Sequence, residues 1–313
     1  MIDLSIHPEG LDHAVQRARE KHILIPTFAQ MRDPSLVPAR VRERLSSVGL
    51  WDLDPLNLFR ITWKNRPTAK GGGYGGVNHL VLPTELTGVK ARIVVLTGKW
   101  FPTGAHKVGA AFACLAPRLV TGQFDPVSMK AAWPSTGNYC RGGAYDSALL
   151  GCRSIAILPE GMSRERFEWL EKVAGEIIRT PGCESNVKEI FDKCHELRAS
   201  GDDVMIFNQF EEFGNYLWHY SVTGPAMEEA LLPLATGPRG TRHIRGLVSA
   251  TGSGGTIASG DYLKHRYPWF KIAASEALQC PTLLANGFEN GRKASVIQYI
   301  GLYFSSGNGY IKQ

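Results

Sequence analysis

Three short segments of this chain hold residue types and spacings that can do chemistry. Lys107 stands in FPTGAHKVGAAFACLAPRL, Phe101 to Leu119, between a Pro-Thr-Gly turn and an apolar run of helical spacing. Lysine is rarely buried without a reason. Lys107 is therefore either a first-turn lysine reaching out to water or an amine held where water is scarce. In the second case burial lowers the amine pKa and frees its lone pair for a Schiff base with an aldehyde cofactor. PSTGN, Pro134 to Asn138, follows a strand-like run and precedes the helical YCRGGAYDSALL. Backbone N–H groups of Thr136 to Tyr139 at that helix start suit a carboxylate, and Asn138 can both donate and accept. Taken alone, the segment reads as an N-cap turn, which Ser, Thr and Asn favour. TGSGGT, Thr251 to Thr256, joins the strand RGLVSA to the helix TIASGDYLKH. Its glycines let several N–H groups converge on one anion, the helix adds its dipole, and Ser253 and Thr256 add hydroxyls. The alternatives are a phosphate cup and a tight strand-to-helix turn. A dinucleotide site is disfavoured, because the acid Asp261 falls within the helix rather than at the end of the next strand.

The elements that must position these segments follow from the hydrophobic pattern. ARIVVLTG, SMKAAW, CRSIAILP, GEIIRTPG, VMIFNQ, HIRGLVSA and KIAASEA read as strands. Helices are predicted over Lys107 to about Val120, Tyr139 to Gly151, SRERFEWLEKVA with Ser163 as N-cap, NVKEIFDKCHELRAS, Asn215 to Leu232, and after TGSGGT. Strands alternating with helices imply right-handed crossovers and a parallel sheet covered on both faces, an α/β fold. Ligands bind at the carboxyl ends of such strands, where all three segments fall. Residues 1 to about 75 form a lead segment with a short helix at Leu11 to Glu20, broken by Pro34, Pro38, Pro55 and Pro67. GGGYGG, Gly71 to Gly76, lacks the ending of a nucleotide phosphate loop and reads as a connector.

Composition narrows the class. The chain has 313 residues, 43% hydrophobic and 20% charged, which is globular usage and enough for a sizeable core. The net charge of +6 is spread without a basic block, which gives no case for nucleic acid. Six cysteines form no CxxC pair and read as free thiols of a reducing compartment. No secretory signal and no membrane-length apolar run is read, so a cytoplasmic location is expected.

Lys107, the Asn138 loop and the glycine loop, in that order, resemble the fold-type II pyridoxal-phosphate enzymes, the cysteine synthase and tryptophan synthase β group. The resemblance runs from about Leu80 to Leu284. FPTGAHKVGAA is similar to that group's N-P-x-G-S-x-K segment, with Ala105 in place of the usual Ser and wording closer to the tryptophan synthase β chain. STGNYCRGGAYDSALLGCRSIAILPEGMSRERFEWLEKVAGEIIRTPG resembles the cysteine synthase stretch from the substrate loop to the Thr-Pro-Gly turn. NQFEEFGNYLWHYSVTGPAMEEAL resembles its Q-F-x-N-P-x-N segment and following helix, and GSGGT its phosphate loop.

The resemblance implies the two-lobed parallel-sheet fold of that group, with a mobile small lobe at about 100–212 and a cofactor lobe at about 76–99 plus 213–313. It implies pyridoxal 5'-phosphate as cofactor. Lys107 would be the Schiff-base lysine and proton shuttle at the substrate Cα, and Asn138 would bond the cofactor's ring oxygen. Ser135, Thr136 and Gly137, beside Asn138, would hold the substrate carboxylate, and Gly252, Ser253, Gly254, Gly255 and Thr256 the cofactor phosphate. The activity implied is β-elimination or β-replacement on an amino acid such as an O-activated serine, with a thiol or other nucleophile adding, in a homodimer. The alternatives are a serine or threonine dehydratase-type lyase, and a truncated, non-catalytic relative acting as a binding protein, with a nucleotide-binding protein more distant. No metal site is expected.

The chain departs from the group's pattern at its end, ENGRKASVIQYIGLYFSSGNGYIKQ. The Ser or Thr facing the pyridine nitrogen is expected later than this chain provides. SSGN at 305–308 lies too close to the phosphate loop to supply it through Ser305 or Ser306. The catalytic region, 76–313, is therefore expected to be incomplete at the C-terminus, leaving exposed apolar surface and an unpaired edge. His106 is read as a phosphate contact or a histidine without a role, Cys140 as a buried spectator thiol, Tyr139 as facing either the site or the core, and Glu276 as a strand-end acid with a ligand-facing or a structural role.

Overall fold

The computed structural model describes residues 3–67, 72–183, 186–201, 203–235, 240–250 and 252–275. In chain order these residues form α1 (Pro8–Glu20), α2 (Phe28–Arg32), α3 (Ala39–Leu45), β1 (His79–Leu82), α4 (Thr84–Thr87), β2 (Ile93–Leu96), α5 (Lys107–Val120), β3 (Lys130–Pro134), α6 (Asn138–Leu149) and β4 (Arg153–Pro159). There follow α7 (Arg164–Leu170), β5 (Glu176–Thr180), α8 (Val187–Ala199), β6 (Val204–Ile206), α9 (Phe213–Trp218), α10 (Gly224–Leu231), β7 (Gly246–Ala250), α11 (Ile257–Arg266) and β8 (Lys271–Ser275). The chain divides into two compact units, residues 1–78 with 97–214, and residues 79–96 with 215–313.

The first unit is built on a four-stranded sheet of order β5-β4-β3-β6. All its pairs are parallel, with Ala132 opposite Ile155 and Ile206, and Ile157 opposite Ile178. The central strands are buried almost end to end, which is why AAW and SIAIL are continuous apolar runs rather than alternating ones. On one face α8 lays Ile190 and Cys194 against Ala132, Ile155 and Ile157. On the other, α6 packs on β3, β4 and α5. Gly143 of α6 leaves the space that Trp133 fills, since a Cβ there would lie 2.0 Å from the indole. Trp133 in turn stacks on Phe207 at 4.6 Å and donates to Ser147 Oγ at 3.0 Å.

Residues up to Asn78 belong to this unit. The His7 N–H donates to the Thr121 carbonyl at 2.8 Å, and Gly10 passes so close to Gly122 that a Cβ would lie 2.2 Å from its oxygen, so α1 is seated on the end of α5. Val37, Val41, Leu45, Leu56 and Phe59 form a small core of their own. Above it the buried Arg60 donates to the Leu45 and Val48 carbonyls and to Asn57. The connector 72–76 is a tight turn: Gly72 and Gly73 have left-handed φ of 63° and 71°, and Asn65 and Tyr74 pair across it.

The second unit has two ribbons rather than one sheet, β1 antiparallel to β2 and β7 parallel to β8. The antiparallel pair departs from the all-parallel expectation, because HLVL lies within hairpin reach of IVVL. Its core gathers Ile244, Leu263, Tyr267 and Phe270 with Met227, Leu247 and Ile272. Glu228 of α10 ties this core together, accepting from Tyr262 and Tyr267 hydroxyls at 2.6 Å each. Leu80 and Val248 are exposed.

Most predicted elements occur within a residue or two of their expected bounds. SRERFEWLEKVA is shorter as a helix, and Ser163 occupies the N-cap position without a capping hydrogen bond from its side chain. Asn215 to Leu232 contains a π-helical turn at His219–Thr223. Glu276, Cys280 and the SSGN segment lie outside the described residues.

Candidate active site

In the first unit, the turn before Lys107 is held in an unusual backbone shape. Thr103 and Gly104 both have left-handed φ, 65° and 71°. Thr103 is a β-branched residue there and its hydroxyl is buried without a hydrogen-bond partner. Such strain persists only where surroundings over-determine it, and it clusters at ligand sites. Next along, His106 stacks on Trp63 at 5.7 Å, and burial pushes its imidazole down to about 4, so it is neutral at physiological pH. Lys107 opens α5. Burial pulls its amine down to about 8. The amine donates to Gln209 Oε1 at 3.1 Å and lies 6.0 Å from the centroid of the Tyr139 ring.

Gln209 also reaches the substrate-loop candidates: its Nε2 lies 3.5 Å from Ser135 Oγ. Ser135 Oγ accepts from the Gly137 N–H at 3.2 Å, shaping the loop after β3. Asn138 is exposed as the first residue of α6, whose leading N–H groups have no acceptor within the helix. What brings this loop to the lysine is Gly142. A Cβ there would lie 2.9 Å from the Val108 backbone, so only glycine lets α6 cross the start of α5. Thus Lys107, Ser135 and Gln209 are linked by hydrogen bonds, with Thr136, Gly137 and Asn138 next along the same loop.

Tyr139 faces the core. It is buried against Trp133 and its hydroxyl lies 3.5 Å from Cys114 Sγ. Cys140 is buried too, and burial pushes its thiol up to about 12, which makes it inert. The described cysteines are free, and no cluster able to hold a metal occurs among the described residues. No helix among the described residues is long and apolar enough to cross a membrane.

In the second unit, residues 252–256 form the turn from β7 into α11. Gly254 has a left-handed φ of 74°. Gly255 lies against α9 and the π-helical turn, where a Cβ would come 2.3 Å from Asn215 Oδ1 and 2.9 Å from His219. Asn215 Nδ2 donates to the Ser253 carbonyl at 3.1 Å and lies 3.0 Å from its hydroxyl. His219 lies 3.0 Å from Thr223 Oγ1 within the π-helical turn. Such turns often occur at functional sites. The loop is thus clamped at Ser253 and Gly255.

Sequence reasoning missed Gln209, Asn215 and Thr103. Gln209 was legible in principle, since QFEEFGN follows the carboxyl end of β6. Asn215 closes the same segment, whereas Thr103 carries no comparable signal in the sequence.

The model of the family "Pyridoxal-phosphate dependent enzyme" matches residues 88–299. A probable cysteine synthase of Bacillus subtilis is 28% identical over 66% of this chain and 65% of its own length. Among solved structures, a hydrogen sulfide-producing enzyme from Fusobacterium nucleatum superposes with a TM-score of 0.54 at 25% identity, covering 62% of this chain and 56% of that one. An O-acetylserine dependent cystathionine beta-synthase from Helicobacter pylori gives 0.57 at 22% identity, covering 68% and 66%, a likeness of fold. The chain therefore spans about two thirds or less of the relatives it matches. On the family match, the ordered loops and the parallel α/β architecture, this chain belongs to the pyridoxal-phosphate dependent enzymes of fold-type II and is related to the cysteine synthases.

Proposed function

We propose that this chain carries out β-elimination or β-replacement on an amino acid, in the manner of a cysteine synthase. The observation that carries this reading is the Lys107 amine, drawn down to about 8 and tied through Gln209 to Ser135 of the loop. A group that titrates near neutral pH can both take and return a proton. An ordinary surface lysine cannot.

Each unit has features that fit pyridoxal phosphate. In the first, the desolvated amine suits an aldehyde, and the buried, unpartnered Thr103 hydroxyl offers a polar contact beside it. In the second, the clamped glycine turn at the start of the ten-residue α11 suits a phosphate. When bound, the cofactor supplies the electron sink for bond breaking at the substrate Cα. The residues of this chain do the rest. Gly252, Ser253, Gly254, Gly255 and Thr256 hold the phosphate through N–H and hydroxyl groups. Ser135, Thr136 and Gly137 seat the substrate carboxylate at the start of α6. Asn138 hydrogen-bonds the ring oxygen. Lys107 removes the Cα proton and returns one, with Gln209 holding the amine in reach of the loop.

Borohydride reduction of the protein with pyridoxal phosphate, followed by peptide mapping, tests the reading. The expected result is a visible absorption band and a reduced adduct on Lys107. A folded protein with no band, or an adduct spread over surface lysines, overturns it. Product analysis with an O-activated serine and sulfide then separates replacement from a dehydratase outcome, which would yield a keto acid and ammonia only.

A further inference from the structure

Two arginines flank the loop of residues 135–138. Arg141 lies one turn into α6, and its backbone N–H donates to the Gly137 carbonyl at 3.3 Å. Its guanidinium lies 4.9 Å from the centroid of the Trp169 ring and 5.6 Å from that of Trp51. The two indoles meet edge to face at 6.3 Å. Arg141 Nε is buried without a hydrogen-bond partner. Close by, Arg166 of α7 donates to the Thr136 carbonyl at 2.5 Å, within the substrate loop itself. Arg166 and Trp169 lie one turn apart on α7, so the ring that Arg141 faces shares a helix with Arg166; burial first, and the charge of Arg166 second, lower Arg141. No acidic side chain forms an ion pair with either arginine among the described residues. Trp51 also stands against the turn that leads to Lys107, since a Cβ at Gly104 would lie 3.3 Å from its ring.

Two half-buried guanidinium groups set against one loop, with no acidic partner among the described residues, are costly unless a ligand supplies an anion. A structural staple would need only the cation–π contacts of one arginine. The second arginine, and its bond to the Thr136 carbonyl, couple the pair to the loop proposed to hold the substrate.

We infer that Arg141 and Arg166 form an anion subsite that selects amino acids whose side chain carries a negative charge, a carboxylate or a phosphate, in addition to the α-carboxylate. The inference rests on the proposed role of residues 135–138 as the carboxylate seat. Trp51 and Trp169 pack against the Arg141 guanidinium, which limits its freedom and suits the bidentate fork an anion would meet.

The test is a fluorescence and calorimetric titration of the full chain, with and without pyridoxal phosphate. The probes are O-phospho-L-serine, L-aspartate, L-serine and inorganic phosphate. The wild type is expected to bind at least one of the two charged amino acids about tenfold or more tighter than serine, with quenching of tryptophan emission, as befits a charge-assisted bidentate contact. Arg141→Gln should reduce that preference to about threefold or less, and Arg141→Lys, which keeps the charge without the fork, should be intermediate. Thermal unfolding of each variant checks that the fold persists. Equal affinity for serine and both charged amino acids in the wild type overturns the subsite, as does an undiminished preference in Arg141→Gln. Inorganic phosphate binding as tightly as the charged amino acids also overturns it, since the site would then take free anions. If no adduct forms on Lys107 while the charge preference persists, the proposed chemistry fails and the subsite stands. The converse result removes the subsite alone.

Discussion

The two units hold their candidate residues in different ways. Around Lys107 the scaffold is a four-stranded parallel sheet, covered on both faces, with α6 locked across α5 at Gly142. Around the glycine loop it is a pair of two-stranded ribbons, with Val248 of β7 exposed. Two-stranded ribbons are marginal on their own. The loop there takes its shape from a local clamp, Asn215 on Ser253 and Gly255 under α9. A reacting amine must be placed to within a fraction of an ångström. A phosphate is held by several N–H groups at once and tolerates a softer frame. On the proposed roles, the difference between the units would follow the difference in what each has to position.

The largest expected effect lies on the lysine side. Lys107→Ala should reduce turnover by about 10²–10⁴-fold, the range for removal of a general base. It should also abolish the reduced adduct, while the glycine loop still binds cofactor weakly by equilibrium dialysis. Full turnover of this variant would collapse the contrast between the units.

Next comes the relay between lysine and loop. Gln209→Ala removes a hydrogen-bond partner of the Lys107 amine. One hydrogen bond to a charged group, ~1.5–3 kcal/mol, corresponds to about 10–100-fold in kcat/KM. An unchanged kcat/KM would show that the link is structural only.

The clamp in the second unit is probed by two glycines in one loop. At Gly255 a Cβ would lie 2.3 Å from Asn215, whereas at Gly252 it would meet nothing within 4 Å. Gly255→Ala should cost about 1–3 kcal/mol of stability through overpacking, and Gly252→Ala should cost less than about 1 kcal/mol. Denaturant unfolding of both variants checks the pair, and equal costs would mean that the loop is not clamped at Gly255.

The smallest effect concerns charge burial in the cofactor-free protein. The folded amine of Lys107 is lowered to about 8 from an ordinary 10.5, so the unfolded chain binds more protons between those values. Stability then rises with pH across that window, and below pH 8 the folded state bears the full cost of a desolvated ammonium. Lys107→Met should therefore raise Tm below pH 8, by roughly 1–2 °C for each kcal/mol of relieved desolvation in a chain this size. The gain should shrink as pH approaches 10.5. A pH-independent gain would assign the effect to packing rather than charge.

Much was legible before any coordinates. Helix and strand types followed from periodicity because apolar spacing reports which face a core must cover. Val108 to Ala116 repeat as a buried helix does, and SIAIL reads as a fully covered parallel strand. Lys107, the Asn138 loop and the glycine loop were recognisable by type and order, since an amine, a helix start and clustered glycines have few other uses in combination. Whether Tyr139 faces the core or the site was not legible, because a tyrosine at a helix start satisfies either pattern. Packing against Trp133 and Cys114 decided it.

The sequence by itself determined the α/β alternation, the family and the three ordered loops. Those depend on local backbone preference and on residue types that survive any arrangement in space. Only the tertiary structure decided that Gln209 meets Lys107, that Gly142 lets two helices cross, that Asn215 clamps the glycine turn and that Arg141 lies against Trp51 and Trp169. Each of these contacts joins residues far apart in the chain. Their worth comes from burial, close approach and direction, and none of those is a property of one residue or its neighbours.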